Sequence, residues 1–147
     1  MVDVHDAITR SRNMAAIRAI DTKPELALRL ALFKRGFRYR LHDDRLPGRP
    51  DLVLPKHRAV IFIHGCFFHG HGCEKFKWPT TRAQFWRAKI TSNQARDLVV
   101  KSCLSLQGWR VLTVWECVLS KRAGRIESTA NAAERWLFSV SAEGEIG

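Results

Sequence analysis

The sequence has few acidic residues for its number of basic ones, and it has no long apolar run. Its 147 residues include 14 Asp and Glu against 25 Lys and Arg, a formal net charge of +11. The longest apolar run, residues 59–63, is far too short to cross a bilayer, and the N-terminus lacks the apolar core of a secretory signal. We therefore expect a cytoplasmic protein without a membrane partner, whose basic surface and aromatic residues favour nucleic acid as the ligand.

Repeats, low-complexity tracts and interdomain linkers are also absent from the sequence. This indicates a single domain over residues 1–147, which is long enough to bury a core. There are only four cysteines. In a reducing compartment, cysteines are more often metal ligands or buried thiols than members of disulfides.

Apolar spacing and capping residues predict a mixed α/β fold. The predicted helices are residues 8–20, Thr22 to about Arg35, Thr80 or Thr81 to about Gln107, and 124–140; the predicted strands are 37–41, 50–54, 58–63 and 109–115. We expect a three-layer α/β or α+β domain, with a central mixed sheet of four or five strands flanked by helices. Residues 1–20 could form a basic arm that binds DNA or a helix that caps the core, and residues 121–147 a C-terminal helix and tail.

The second predicted helix begins with a capping-box pattern. Thr22 supplies the N-cap hydroxyl, Pro24 lies in the first turn, and Glu25 follows the cap by three residues. Glu25 could be the capping acid or could face a catalytic centre. The residues expected on the buried sides of the second and third helices are Leu26, Leu30 and Phe33, and Phe85, Ile90 and Leu98.

Residues 64–73, HGCFFHGHGC, concentrate metal-binding side chains in a glycine-rich loop. Cys66, His71 and Cys73 are residue types that bind zinc, and the intervening glycines let the loop bend them toward one point. Cys103 or Cys117 could be the fourth ligand, but Cys103 lies among apolar residues and is better explained as a buried thiol. The predicted structural zinc ligands are Cys66, His71, Cys73 and Cys117.

Asp51 lies at the start of the predicted strand 50–54, after Pro50 and the polar turn that ends at Arg49. In many nucleases such a strand precedes one that carries an acid and a lysine, but the following strand here, AVIFIHG, has neither. Asp51 and the backbone carbonyl of Ile63 could still form an oxygen-rich Mg²⁺ site. His64 or His69 could accept a proton from water, and Asp97 could either orient that histidine or be a solvated charge.

Three aromatic residues lie close to these predicted ligands or on the basic third helix. Phe67 and Phe68 belong to the glycine-rich loop, and Trp86 belongs to the helix. Exposed aromatic rings beside cations suit insertion between base steps, which detects a weakly stacked or mismatched pair. The alternative is that the rings pack the loop against the domain.

Taken in order, the motifs resemble those of the very-short-patch repair mismatch endonucleases over residues 2–120. They are VDVHD, TRSRNM, LPGRPD, VIFIHGCFFHGHGC, FWRAKI and GWRVLTVWEC. The resemblance implies a restriction-endonuclease-like fold with structural zinc, and Mg²⁺-dependent nicking of one DNA strand 5′ of the thymine in a T·G mismatch left by deamination of 5-methylcytosine. It also implies a nucleoid-associated protein that is paired with a DNA cytosine methyltransferase and contacts mismatch-repair proteins and a repair polymerase.

The resemblance also implies roles for individual residues. Asp51 matches the metal-binding aspartate and His69 the catalytic histidine; the supporting residues are Glu25, His64 and Asp97, and the zinc ligands are Cys66, His71, Cys73 and Cys117. The intercalating aromatics are Phe67, Phe68 and Trp86, and the residues near the mismatch are Met14, Lys89 and Asn93. Phe68 stands where the family often has tryptophan, and Gly70 and Gly72 replace common histidines. The rival hypotheses are a non-catalytic zinc-stabilised DNA-binding module and a restriction-type nuclease acting on matched sites.

Overall fold

The structure is a computed structural model that describes residues 22–74, 76–120 and 124–147. The helices in these ranges are α1 (Lys23–Lys34), α2 (Ala83–Leu106) and α3 (Arg125–Leu137), and the strands are β1 (Arg40–Leu41), β2 (Leu52–Leu54), β3 (Ala59–His64), β4 (Arg110–Trp115) and β5 (Glu143–Ile146). Short 3₁₀ turns, Pro55–His57 and Glu116–Leu119, follow β2 and β4. The predicted arm over residues 1–20, including Met14, lies outside the described residues.

The five strands form one mixed sheet in the order β1-β2-β3-β4-β5. β1, β2 and β3 are joined antiparallel, whereas β4 lies parallel to both β3 and β5. β3 and β4 pair along their full length, from Ala59 opposite Arg110 to His64 opposite Trp115. Their parallel pairing requires a crossover, and α2 supplies it. The expected mixed sheet is confirmed.

Helices cover both faces of the sheet. On one face, Leu52, Ile61 and Leu112 pack with buried residues of α1 and α3. On the other face, Leu104 of α2 packs against Val53 and against the strand residues that alternate with those facing α1 and α3. Because successive strand residues point to opposite faces, a sheet covered on both sides needs continuous apolar strands, which this chain has. The expected three-layer arrangement is therefore confirmed.

Helix α1 begins at the predicted capping box but buries a different side from the one expected. The Glu25 N–H donates to Thr22 Oγ1 and the Thr22 N–H donates to Glu25 Oε2. The prediction that Leu26, Leu30 and Phe33 are buried was wrong, since they are 40%, 54% and 47% exposed. The buried apolar residues of α1 are Leu28, Ala31 and Leu32. Packing against α3 decides this rotation, and ion pairs from Arg35 to Glu127 and Glu134 stabilise it.

Helix α2 also buries less of its predicted side. Ile90 is buried as expected, but Phe85 and Leu98 are 46% and 67% exposed. Ile90 and Leu104 are the buried residues of α2, so the helix presents most of its circumference to solvent. Within the described ranges, none of the helices is both long and apolar enough to cross a membrane.

The C-terminal segment holds a strand that the sequence did not predict. α3 ends at Leu137, earlier than expected, and β5 follows where a tail was predicted. β5 reads EGEI and has too little apolar alternation to be recognised as a strand. The guanidinium of Arg110 donates to the carbonyl oxygens of Leu137, Ser139 and Ser141, which ties the end of α3 to the sheet. At the other end of the sheet, the strand predicted over 37–41 is shorter than expected, since β1 consists of Arg40–Leu41.

Candidate active site and metal centre

A cleft opens where the C-terminal end of β3 meets the start of β2 and the middle of α2. Asp51, Ile63, His64, His69 and Asp97 all line it. The antiparallel pairing of β2 with β3 brings Asp51 beside the end of β3, where the glycine-rich loop begins. α2 then crosses the same end of the sheet and supplies Asp97. Residues far apart in the sequence therefore share one cleft.

Asp51 is a mostly buried carboxylate with a short hydrogen bond. Its Oδ2 accepts from the backbone N–H of Ile63 at 2.6 Å. Burial raises the pKa of Asp51 to about 6, the Ile63 hydrogen bond opposes this rise, and the negative charge of Glu25 adds to it. The charged form of Asp51 is therefore costly unless a positive ion is nearby, so this carboxylate is suited to binding a cation.

Glu25 lies behind Asp51 and uses its two oxygens differently. Oε2 completes the capping box with Thr22, while Oε1 lies 3.0 Å from Nε2 of His42. The other ring nitrogen of His42, Nδ1, lies 3.8 Å from Asp51 Oδ1. Glu25 is thus both the capping acid of α1 and a neighbour of the cleft, so the two roles that its sequence position allowed are compatible. His42 was missed because its sequence context indicated only a polar turn.

The side chains of His69 and Asp97 form a short polar contact in the cleft. Asp97 Oδ2 lies 2.6 Å from His69 Nδ1 and 3.9 Å from His64 Nδ1. When Nδ1 of His69 donates to Asp97, Nε2 is left as the proton-accepting nitrogen. The ring of His64 stacks on that of His69, with centroids 3.9 Å apart and planes 2° from parallel.

His64 occupies the buried end of β3. Burial, together with the nearby charge of His69, lowers its pKa to about 4, and Asp97 only partly opposes this effect. The His64 imidazole is therefore neutral at physiological pH and packs against His69 by ring stacking.

Side-chain amides of α2 hold the loop that carries His69. Asn93 Nδ2 donates to the carbonyl oxygen of Phe68 at 2.8 Å, and Gln94 Nε2 donates to that of His69 at 3.2 Å. Gly70 has φ +63°, and a Cβ atom there would lie 2.5 Å from Gln94 Nε2. A side chain at this position would have to displace the end of Gln94 and adopt a left-handed backbone conformation, which glycine does without strain. Asn93 was predicted as a DNA-binding residue, and the contact described here is with the loop; Gln94 was missed.

The four predicted zinc ligands come together. Their ligand atoms all lie within 4.8 Å of one another, and Cys117 Sγ is 3.6 Å from His71 Nδ1. A tetrahedral zinc ion at about 2.1–2.3 Å from each ligand separates its ligands by roughly 3.5–4 Å, so the cluster fits zinc after small adjustments. Burial raises the pKa of the Cys66 thiol to about 12, so a bound cation is needed to hold this sulfur as thiolate. Cys103, the other candidate ligand, lies on α2 outside the cluster.

The three predicted wedge residues form one aromatic group beside the cleft. The Trp86 ring centroid lies 5.1 Å from that of Phe67 and 6.4 Å from that of Phe68, and the Phe67 and Phe68 rings meet edge to face. Phe68 is 44% exposed, so one ring of the group is available to a ligand. Lys89, on the same helix, is exposed.

Three cations that the sequence did not single out also line the cleft. Arg49 precedes Pro50 and has φ +49°, while Arg96 and Lys101 extend from α2. A cleft with this much positive charge attracts phosphate groups. Only the proximity of Arg49 to the Pro-Asp strand could have indicated it from the sequence.

The cleft combines three features: a buried acid that benefits from a cation, a histidine oriented by a carboxylate, and a cationic wall. This combination suits hydrolysis of a phosphodiester in a nucleic acid, so the class of protein is a nuclease. A family model described as DNA mismatch endonuclease Vsr matches residues 2–75, half of the chain. DNA mismatch endonuclease Vsr of Escherichia coli (strain K12) is 46% identical over 147 residues, covering 99% of this chain and 94% of that protein. The chain belongs to the Vsr family of DNA mismatch endonucleases.

Other relatives carry names that describe a nicking activity. Type II nicking enzyme V.XorIIP of Xanthomonas oryzae pv. oryzae is 48% identical over 107 residues, covering 73% of this chain and 79% of the relative. Type II nicking enzyme V.NmeAIP of Neisseria meningitidis is 45% identical over 123 residues, covering 84% and 88%. The predicted family and the predicted enzyme class, a DNA endonuclease, are confirmed. The rival hypothesis of a non-catalytic DNA-binding module is rejected.

Proposed function

We propose that this protein is a Mg²⁺-dependent nickase that cuts one DNA strand 5′ of the thymine in a T·G mismatch left by deamination of 5-methylcytosine. The observation that carries the proposal is the convergence of Asp51 with the His69–Asp97 pair in one cationic cleft. The family and the nicking enzymes among its relatives support the reaction class. A restriction-endonuclease-like fold is part of the proposal, supported by the mixed sheet with helices on both faces and Asp51 at the start of a strand.

Asp51 and the backbone carbonyl of Ile63 are the proposed Mg²⁺ ligands. Both residues line the cleft, and the Asp51–Ile63 hydrogen bond keeps them adjacent. Carboxylate and carbonyl oxygens are the hard ligands that Mg²⁺ prefers. Bound Mg²⁺ would supply electrophilic assistance to the oxygens of the scissile phosphate.

His69 is the proposed general base. With Nδ1 donating to Asp97, its Nε2 accepts a proton from water as the water oxygen bonds to phosphorus and the opposite P–O bond breaks. The leaving oxygen then takes a proton from solvent. Asp97 keeps His69 in the productive tautomer, and the His64 ring prevents it from turning, while Arg49 and Arg96 hold the flanking phosphates.

Zinc bound by Cys66, His71, Cys73 and Cys117 is proposed to hold the loop in shape. Four protein ligands leave no open position, so this ion has a structural role. It stabilises the loop between β3 and α2, from which Phe67, Phe68 and His69 extend. The position of the catalytic histidine is thereby coupled to that of the aromatic group.

Mismatch recognition is assigned to the aromatic group of Phe67, Phe68 and Trp86, with Met14, Lys89 and Asn93 near the mismatched pair. A T·G pair stacks less firmly than a matched pair, so a wedge that enters the stack selects for it. DNA is the substrate, and a nucleoid-associated location follows from it. The further proposed partners are a DNA cytosine methyltransferase, mismatch-repair proteins and a repair polymerase.

Strand cleavage of labelled duplexes tests the proposal. Matched duplexes and duplexes with one T·G pair in several methyltransferase contexts are incubated with Mg²⁺, with each strand labelled separately. We expect one cut, on the thymine strand and immediately 5′ of the mismatch, that disappears in Asp51→Ala while DNA binding persists. Equal cutting of matched duplexes would indicate a restriction-type nuclease, and cleavage by Asp51→Ala would refute the metal assignment.

A further inference from the structure

A histidine with no assigned role bridges the two buried acids of the site. His42 lies in the turn between β1 and β2, and its side chain is only 10% exposed. Its Nε2 is 3.0 Å from Glu25 Oε1, and its Nδ1 is 3.8 Å from Asp51 Oδ1. The imidazole therefore stands between the acid that caps α1 and the acid that opens into the cleft.

The backbone of His42 is held to the same acid. Its N–H donates to the carbonyl oxygen of Asp51 at 3.2 Å. His42 also has φ +48°, a left-handed conformation that is uncommon for a residue with a side chain. That backbone geometry directs the imidazole inward between Glu25 and Asp51, so His42 contacts Asp51 through both its main chain and its ring.

We propose that His42 is a positioning residue for the Asp51 carboxylate, connecting it to Glu25 and so to the N-terminus of α1. This inference rests on the proposed function, in which Asp51 binds Mg²⁺. Without the ring, the contact that joins the two carboxylates is lost, and the Ile63 N–H is left to hold Asp51 by a single hydrogen bond. Partners that orient metal ligands in this way typically contribute about 10- to 100-fold in metal affinity or activity.

The 3.0 Å separation of Nε2 from Glu25 distinguishes this role from direct metal binding. The two atoms are within ion-pair distance, so Nε2 faces the Glu25 carboxylate, and a ring nitrogen that carries a proton toward that carboxylate has no lone pair for a metal. His42 therefore acts on the cation through Asp51, and a side chain with a donor in the same place can replace it.

Two substitutions at position 42 separate positioning from packing. His42→Gln places an amide N–H near the position of Nε2, so it can still donate to Glu25. His42→Leu has a similar volume and no donor. His57→Leu is the matched control, since His57 contacts Phe37 and Phe138 rather than the cleft residues. For each full-length variant, the measurements are the Mg²⁺ concentration for half-maximal nicking of a T·G duplex, Mg²⁺ binding by calorimetry, and the melting temperature.

We expect His42→Leu to raise the half-maximal Mg²⁺ concentration and the calorimetric Kd by about 10- to 100-fold. His42→Gln and His57→Leu should stay within about threefold of wild type. Wild-type Mg²⁺ dependence in His42→Leu would overturn the proposal. Equal loss in His42→Gln and His42→Leu, in step with equal falls in melting temperature, would also overturn it by indicating a packing role. Failure of the wild-type protein to nick or to bind Mg²⁺ would instead refute the proposed function itself.

Discussion

Replacing Asp51 with Asn tests the buried carboxylate through both stability and activity. Burial and the charge of Glu25 raise the pKa of Asp51 from 3.8 to about 6. The folded protein therefore holds this proton more tightly than the unfolded chain does. Its stability falls as the pH rises from 3.8 to about 6 and stays reduced above that range. Above that range, the charged Asp51 lowers the free energy of unfolding by about 3 kcal/mol, because each pKa unit corresponds to about 1.4 kcal/mol.

The Asn side chain removes this cost and keeps the local hydrogen bond. It is neutral at every pH, and its carbonyl oxygen can still accept from the Ile63 N–H. At pH 8 without Mg²⁺, we expect Asp51→Asn to be about 1–3 kcal/mol more stable than wild type, which raises the melting temperature by roughly 3–10 °C. The gain should vanish near pH 4, and nicking should be lost. Mg²⁺ at about 100 times its Kd should stabilise wild type by about 2.7 kcal/mol and leave the variant unchanged.

Thermal melts of zinc-loaded protein between pH 4 and 8, without chelators, provide the measurement. Asp43→Asn is the matched control because Arg45 lowers the pKa of Asp43 to about 2. The Asp43 carboxylate stabilises the folded state above its unfolded pKa, and this stability is lost only as the pH falls from 3.8 toward 2, so the variant should be less stable than wild type by a nearly constant amount between pH 4 and 8. A wild-type protein more stable than Asp51→Asn at pH 8 without Mg²⁺ would refute the reasoning, as would equal stabilisation of both proteins by Mg²⁺.

Three further predictions concern the base, the zinc cluster and the wedge. Asp97→Asn removes the carboxylate that accepts from His69 Nδ1, and we expect single-turnover nicking to fall about 100-fold or more while gel-shift affinity is unchanged. Cys117→Ser removes a zinc ligand, and we expect elemental analysis to find less than one zinc per chain, with a lower melting temperature. Phe68→Ala removes a half-exposed ring, and we expect the preference for T·G over matched duplex, measured as a ratio of nicking rates, to fall roughly tenfold.

Each of these predictions has a contrary outcome. Nicking by Asp97→Asn within threefold of wild type would show that His69 does not depend on this partner. Cys103→Ser is the control for the zinc variant, because Cys103 lies on α2 outside the cluster; full zinc in Cys117→Ser, or equal loss in both variants, would contradict the ligand assignment. Phe138→Ala removes an exposed ring that packs near His57 instead of the loop, and an equal change in preference there would exclude a specific role for Phe68.

The sequence alone predicted the features that depend on short stretches of chain. Three of the four clustered metal ligands, Cys66, His71 and Cys73, lie within eight residues, so their proximity is almost guaranteed by connectivity. The capping box of Thr22 and Glu25 spans a single helical turn, and the apolar run of β3 is explained by burial on both faces. Local chemistry and periodicity were sufficient for these predictions.

Only the tertiary structure decided which distant residues meet in the cleft. The rotation of α1, which buries Leu28 in place of Leu26, depends on its packing against α3, and helix periodicity alone does not select between overlapping apolar stripes. The 2.6 Å contact between His69 and Asp97 depends on where α2 crosses the sheet. His42 reaches Glu25 and Asp51 because two antiparallel strands and a helix N-terminus meet there. Such contacts are set by the packing of whole elements, which no local pattern of residues encodes.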